Sequence, residues 1–251
     1  MQNDDDLLLD AFGGLDSPLD QLQPVASEDD IVQPHPDEML ELLGSSDPQQ
    51  SMLAARFFCD VQDSRAIAPL ICLLSNSCPL VRVSAAYGLG RNPSNEAVDA
   101  LIHQLASDWN GYVRKGVVWA LGNCQDLRTQ KPLIGSLKED IPSVRLWAAS
   151  ALGQMASLGY DAIISAIPPL IEAMLNDPVA AVRSNAAWSI GQLCRELPSN
   201  VVYATAVDAL IEAFAEDDDL GVREDARAAV LKLGDTRGLQ VIEAIEIEGI
   251  I

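Results

Sequence analysis

The chain has 251 residues, of which 49% are hydrophobic and 5% aromatic, and its formal net charge is −21. This charge argues against binding to nucleic acids or anionic membranes, because both need a cationic face. No apolar run approaches the roughly 18 residues of a membrane span, and the acidic start MQNDDD differs from the basic start of a signal peptide. We therefore predict a cytoplasmic protein with no nucleic-acid binding and no membrane insertion.

Residues 1–36 differ in composition from the rest of the chain. They carry many acidic side chains, no Lys or Arg, and leucine clusters such as Leu7–Leu9. Such a segment repels itself and buries little apolar surface, so we predict a flexible acidic tail. The alternation of acids and leucines leaves another interpretation open, a short helix that docks into the groove of a partner.

From Pro36 onward the pattern is helical and periodic. Five Val-Arg pairs recur with arginine spacings of 32, 31, 38 and 40 residues, and a glycine stands eight residues after each of the first four arginines. An apolar segment such as DALIHQLAS precedes each pair. A period of this length predicts stacked helix pairs. The arginines are Arg82, Arg114, Arg145, Arg183 and Arg223, and the glycines are Gly90, Gly122, Gly153 and Gly191.

The two ends of the periodic region are atypical. In the first repeat, Asp37 to about Cys59, Gln50 and Ser51 stand where the Val-Arg pair is expected, and residues from Thr236 to about 245 form a helix with no partner after it. Atypical terminal units are typical of capping repeats. The fold predicted for residues 37–251 is an all-α solenoid of about six helix pairs with a C-terminal capping helix.

The repeated motif, written DPVAAVRSNAAWSIGQL and DIPSVRLWAASALGQM in two copies, resembles the HEAT-like repeats of the phycobilin-lyase family. The resemblance covers about residues 37–245. It implies a right-handed α-solenoid with the first helix of each pair on the convex face and the second on the concave face. It also implies that the repeated arginines are structural and form a ladder with acids of neighbouring turns. The matching acids, six residues before their arginines, are Asp108, Glu139, Asp177 and Asp217, and Asn76 replaces the acid of the second repeat.

Helical geometry sorts each second helix into faces. Counted from the arginine, positions −1, +3 and +7 form the stacking core, whereas +1, +5 and +9 point away from it. Aromatic and polar side chains occupy positions +1, +5 and +9 and the positions next to them. Aromatic side chains on such a face are favoured anchors for binding partners. The candidate partner-binding residues are Tyr87, Arg91, Trp109, Tyr112, Lys115, Trp119, Asn123, Trp147, Gln154, Trp188, Gln192 and Arg195. Packing of some aromatic residues between adjacent second helices is the alternative.

The basic members of this set also indicate the charge of a partner. Arg91, Lys115 and Arg195 favour an acidic partner or the acidic tail of the chain itself.

The cysteines predict neither disulfides nor a metal site. Their number is odd, no CxxC pair occurs, and two histidines are too few for a His/Cys site. We interpret Cys59, Cys72, Cys78, Cys124 and Cys194 as buried thiols, and we predict no metal and no cofactor. Ligation of an iron–sulfur cluster by cysteines such as Cys72 and Cys124 is the alternative.

No catalytic motif is recognisable. The chain has no glycine-rich phosphate loop, no nucleophile elbow and no HExxH, and His35 and His103 are far apart in the repeat order. We therefore predict a protein that is not an enzyme, a scaffold or adaptor that binds another protein through its concave face.

The resemblance implies two alternative kinds of partner. An acidic N-terminal region followed by DWNGYVRKGVVWALGNC is similar to family members that associate with an A-type iron–sulfur carrier. This implies a regulatory partner of iron–sulfur carrier or cluster-assembly proteins. The alternative within the family is a phycobilin-lyase-type or phycobilisome-associated factor, whose groove holds a bilin or a phycobiliprotein.

Overall fold

The computed structural model describes residues 34–248, and every regular element in this range is a helix. The first helices of the repeats are α1 (Pro36–Leu43), α3 (Ile67–Leu73), α5 (Val98–Ser107), α7 (Gln130–Glu139), α9 (Tyr160–Asn176) and α11 (Val201–Glu216). The second helices are α2 (Pro48–Phe57), α4 (Pro79–Arg91), α6 (Gly111–Asn123), α8 (Pro142–Gly153), α10 (Ala180–Cys194) and α12 (Leu220–Leu233). A last helix, α13 (Thr236–Glu248), follows the sixth pair. The predicted all-α fold of stacked helix pairs is confirmed, and the predicted acidic tail lies outside the described residues as far as position 33.

Short polar side chains and prolines set the helix starts. The side chains of Asp47, Asn110 and Asp219 accept hydrogen bonds from first-turn amides of α2, α6 and α12, which satisfies donors that a helix start leaves free. Proline stands in the first turn of α2, α4 and α8, where its missing N–H is not needed. Gly234 ends α12 with a φ of 66°, a conformation that glycine adopts without strain.

The core is continuous along the array, and buried side chains of both the first and the second helices contribute to it. Val113, Val117 and Leu121 of α6 are fully buried, and they occupy the positions −1, +3 and +7 counted from Arg114. The glycine at +8 permits close approach, because a Cβ on Gly153 would lie 2.8 Å from the Cβ of Ser189 in α10. Neighbouring second helices contact each other far more extensively than neighbouring first helices do. The second helices therefore form the tightly packed side of the array.

Four of the repeated arginines each connect two consecutive turns. Arg82 donates from Nε and Nη2 to Asp108 of the next repeat at 2.7 and 2.9 Å, and from Nη1 to the Asn76 carbonyl of its own turn at 2.9 Å. The same bidentate geometry recurs in three later pairs. These pairs are Arg114 with Asp140, Arg145 with Asp177, and Arg183 with Asp217.

The acid of the fourth repeat differs from the expectation. Arg114 pairs with Asp140, and the predicted Glu139 is exposed at the end of α7. The turn before α8 is one residue shorter than the others, since Asp140 directly precedes the helix-capping residue whereas Asp108 stands two residues before it. A carboxylate six residues before the arginine therefore falls on the preceding helix.

The last arginine of the series has no carboxylate partner among residues 34–248. Arg223 donates from Nε to the Phe214 carbonyl at 2.9 Å, and its buried Nη2 has no hydrogen-bond partner. In the earlier repeats the corresponding nitrogen reaches the acid of the next repeat. Here α13 follows, and it is not succeeded by a second helix within the described residues.

A second series of ion pairs joins the first helices and was not predicted from the sequence. Arg65, Arg128 and Arg237 each follow an aspartate by two residues, in the segments DSR, DLR and DTR. Each arginine pairs with that aspartate and with an aspartate of the preceding first helix. These second aspartates are Asp37, Asp99 and Asp208, each 2.8 Å from its arginine. The recurring Asp-x-Arg spacing could have predicted these ion pairs from the sequence.

Removal of one charge from the buried ladder should destabilise the fold. The Arg82 and Asp108 side chains are 8% and 1% exposed, whereas those of the first-helix pair Arg128 and Asp99 are 46% and 79% exposed. We expect Asp108→Asn to lower the free energy of unfolding by about 3–5 kcal/mol, because it leaves a buried guanidinium unpaired. Asp99→Asn should cost less than about 1 kcal/mol. Urea denaturation of both variants measures the difference, and equal midpoints would contradict a stabilising role for the ladder.

The effect of Asp108→Asn should also depend on pH. Burial raises the pKa of the Asp108 carboxyl, but hydrogen bonds from Arg82, the Asn110 amide and Gln104 outweigh it and hold the pKa below its usual value. A depressed pKa stabilises the folded state above the unfolded pKa of about 3.9. The stability difference between the parent and the variant should therefore be complete at neutral pH and shrink as the pH falls below about 4.

Candidate functional site

The outward positions of the second helices form one surface, which we call the second-helix face. It carries one aromatic side chain on each of four successive second helices. These side chains are Tyr87 of α4, Trp119 of α6, Trp147 of α8 and Trp188 of α10. They differ in exposure, so they do not all have the same capacity to bind a partner.

Trp119 and Tyr87 pack between neighbouring helices. Their ring centroids are 5.5 Å apart with the planes tilted by 42°. The Trp119 ring lies directly over Gly90 of α4, in space that a Cβ would occupy, and Tyr87 lies against Gly116 of α6. Both side chains are half-buried. The packing interpretation of the aromatic residues therefore applies to this pair.

Trp147 is covered by a cation. The Lys115 Nζ lies 5.5 Å from the centroid of the Trp147 ring, and both side chains are half-buried. Such a contact contributes about 0.5–1 kcal/mol at exposed sites. It presents a positive charge on the second-helix face and leaves part of the indole accessible.

Trp188 is the most accessible aromatic residue of the four, with 40% of its surface exposed. It lines a cleft of about 520 Å³ together with Gln154, Gln192 and Arg195. On its other side a narrow cleft of about 40 Å³ is lined by Arg195 and Lys232. An exposed indole between polar and cationic side chains has the properties of a binding anchor.

The remaining predicted residues fall into different places. Trp109, 77% exposed, lies in the turn before α6 and lines a separate cleft with Gln104 and Ser107. Tyr112, 75% exposed, precedes Trp119 by two helical turns and so lies at the rim of the second-helix face. Asn123 donates to the Gly90 carbonyl at 3.0 Å, and this hydrogen bond connects α6 to α4. The structure therefore does not bring Trp109 together with the other candidates.

Lys232 was missed by the sequence reasoning. It lines the narrow cleft beside Trp188, and it stands nine residues after Arg223, as Arg91 stands nine residues after Arg82. This shared position in the repeat could have identified Lys232 from the sequence. A cleft of about 690 Å³ also lies between first helices α5 and α7, lined by Leu105, Lys131 and Gly135 among others. The sequence pattern does not indicate this cleft.

The thiols of Cys59 and Cys194 are poorly suited to nucleophilic or ligand chemistry. Burial raises the pKa of Cys194 to about 12 and that of Cys59, also raised by Asp60, to about 11, so neither is a thiolate at neutral pH. Cys72 is exposed, contrary to the prediction of buried thiols, because it lies on the outward side of the short helix α3. Within residues 34–248 no three Cys, His, Asp or Glu side chains are grouped as a metal site.

None of the helices described is long and apolar enough to cross a membrane.

Comparison with known families identifies the repeat. The family described as HEAT repeats matches residues 36–122, 98–191 and 167–245, which together include both helices of all six pairs. The chain belongs to the HEAT-repeat family. In such arrays each repeat contacts only its neighbours, and stacking of adjacent helix pairs builds the core.

Two relatives share part of this HEAT-repeat sequence. The uncharacterized phycocyanin operon protein Z of Pseudanabaena tenuis is 26% identical over 173 residues, 68% of this chain and 81% of that protein. The 26S proteasome regulatory subunit RPN2 of Eremothecium gossypii is 38% identical over 104 residues, 40% of this chain. The matched segment is only 11% of the length of that subunit.

Solved structures support the same architecture. The complex of CpcE and CpcF of phycocyanin lyase from Nostoc matches with a TM-score of 0.59 and 25% identity, over 88% of this chain and 85% of that chain. A designed armadillo repeat protein in complex with the peptide (KR)4 matches with a TM-score of 0.59 and 21% identity, over 80% of this chain and all of that chain. The HEAT-repeat chain is therefore an α-solenoid of the armadillo and HEAT type.

The two tryptophans of the second-helix face should respond differently to truncation. Trp119→Ala removes a ring packed on Gly90 and Tyr87, so we expect a loss of about 2 kcal/mol or more in the free energy of unfolding. Trp188→Ala removes a more exposed ring and should change it by about 0.5 kcal/mol or less. Thermal and urea denaturation compare the variants. A large loss for Trp188→Ala would show that Trp188 is a packing residue.

Proposed function

We propose that this HEAT-repeat protein is a non-catalytic cytosolic scaffold that binds a partner protein through the second-helix face. The observation that carries the proposal is the accessible Trp188 between two clefts lined by Gln154, Gln192, Arg195 and Lys232. Extended surfaces of repeat solenoids commonly serve recognition.

The energetics favour Trp188 as the central contact. Its ring offers a large rigid apolar surface with little conformational entropy to lose on binding. Gln154, Gln192 and Arg195 supply hydrogen-bond donors around it in the two clefts. A partner side chain stacked on the indole would be held by polar contacts at its rim, which is the usual arrangement of a binding hot spot.

An iron–sulfur carrier or cluster-assembly protein is the partner that the sequence resemblance supports, and the role would be regulatory. In that case the cluster would stay on the partner, because Cys124 and Cys194 are buried and burial raises the pKa of both thiols. The second-helix face is the surface that we propose for the protein partner, and within residues 34–248 no three Cys, His, Asp or Glu side chains are grouped as a ligand set.

Affinity capture tests the scaffold proposal. Immobilised parent protein and Trp188→Ala are incubated with cytosolic extract, and captured proteins are quantified by mass spectrometry. Loss of a hot-spot side chain costs at least about 2 kcal/mol, so we expect capture of the specific partner to fall by more than tenfold. Trp109→Ala is the matched control, since it removes an exposed indole outside the second-helix face. If the parent and Trp188→Ala capture the same proteins in equal amounts, the face is not the binding surface.

The second candidate is a phycobilin-lyase-type or phycobilisome-associated factor that handles a bilin or its apoprotein. It is favoured by the likeness to the CpcE and CpcF complex of phycocyanin lyase and to phycocyanin operon protein Z. In this case Trp188 and Trp147 would contact the flat tetrapyrrole.

Absorption spectroscopy tests this second candidate. Purified protein titrated with a bilin should shift the visible absorption band, and Trp188→Ala should weaken the shift. An unchanged spectrum with bilin alone, and with bilin plus phycocyanin apoprotein, would exclude bilin handling by this chain.

A further inference from the structure

The acidic residues of this chain avoid the second helices. The chain contains 37 Asp and Glu residues, yet helices α2, α4, α6, α8 and α10 contain none between their first and last residues. Acids stand instead in the first helices, in the turns and in residues 1–36. The exception among second helices is α12, with Glu224 and Asp225. Glu224 lies 4.0 Å from Arg227, and Asp225 accepts a hydrogen bond from the Ser184 hydroxyl.

Basic side chains without a carboxylate partner show the opposite distribution. Seven of the 16 Lys and Arg residues are held in the two series of ion pairs between repeats, and Lys138 and Arg227 pair with Glu172 and Glu224. Apart from Arg223 at the end of the ladder, six basic residues form no ion pair with a carboxylate in residues 34–248. Lys131 lies on the first helix α7, whereas the other five lie on second helices or directly after one. These five are Arg56, Arg91, Lys115, Arg195 and Lys232.

The unpaired cations accompany the aromatic side chains. Lys115 lies over the Trp147 ring at 5.5 Å, and Arg195 and Lys232 line the clefts beside Trp188. Two carboxylates border these clefts, Glu196 at one edge and Asp225 at the other. Asp225 is already engaged by Ser184. The face therefore pairs apolar rings with cations along successive repeats.

We propose that the second-helix face binds an acidic segment of a partner protein, one that carries apolar side chains between its carboxylates. Carboxylates would pair with the free cations, and the apolar side chains would contact Trp188 and Trp147. A chain with a net charge of −21 repels acidic partners elsewhere, so a cationic strip on one face would direct such a partner to that face. This inference rests on the proposed function, because it names the chemistry of the partner at the same face.

The probes are fluorescein-labelled peptides of four Glu-Glu-Leu repeats and of four Lys-Lys-Leu repeats, titrated with the full chain by fluorescence anisotropy. We expect saturable binding of the acidic peptide, with a Kd that rises as salt is increased because the contacts are ionic. Arg195→Glu combined with Lys232→Glu should raise the Kd of the acidic peptide at least tenfold. The same double substitution should leave the Kd of the basic peptide unchanged or lower it.

A charge-matched control locates the site. Lys131→Glu combined with Lys138→Glu makes the same double charge change on first helix α7, and it should alter the Kd of the acidic peptide by less than about twofold, since screening weakens distant charges. Circular dichroism melts confirm that the variants fold. Absence of acidic-peptide binding, or equal weakening by the control, would overturn the inference. If Trp188→Ala still reduces partner capture in that case, the proposed scaffold function stands and only the acidic chemistry fails.

Discussion

The close approach of neighbouring second helices is the constraint on which the rest of this structure depends. At Gly122 and Gly153 a Cβ would come within 2.9 and 2.8 Å of a Cβ on the next second helix, so the spacing exists only because these residues have no side chain. Close approach buries Val117, Leu121 and their equivalents completely. It also aligns the outward positions of successive helices, and this alignment creates the second-helix face.

The arginine ladder complements this packing at the turns. A buried guanidinium and a buried carboxylate both lose hydration, and their attraction compensates only when the geometry is good and the remaining hydrogen bonds are made. Arg82 meets both conditions through its bidentate contact with Asp108 and its bond to the Asn76 carbonyl. Arg223 lacks the carboxylate, which marks the place where the regular stacking of second helices ends among the described residues.

The two layers of the solenoid have different electrostatic character. On the first-helix side, Arg65, Arg128 and Arg237 are neutralised by aspartates of the preceding repeat. On the second-helix side, Arg195 and Lys232 form no ion pair with a carboxylate of the described residues, although Glu196 and Asp225 border the same clefts. A protein with an excess of acids thus keeps two unpaired cations beside its most accessible indole on that face, Trp188. This separation of charge is why we propose the second-helix face as the surface for a partner, in preference to the cleft of about 690 Å³ between first helices α5 and α7.

The sequence by itself determined the helix pairs and their number, because the Val-Arg pair recurs five times and a glycine follows the first four arginines at the same spacing. It also determined which positions face the core, since helical periodicity depends only on spacing. The tertiary structure decided which aromatic residues are accessible. Trp119 and Trp188 occupy equivalent positions at +5, yet Trp119 lies over Gly90 and Tyr87 whereas Trp188 borders two clefts. The tertiary structure also decided that Asp140, and not the predicted Glu139, pairs with Arg114. The length of the turn sets which carboxylate reaches the neighbouring repeat, and the periodic pattern does not reveal that length.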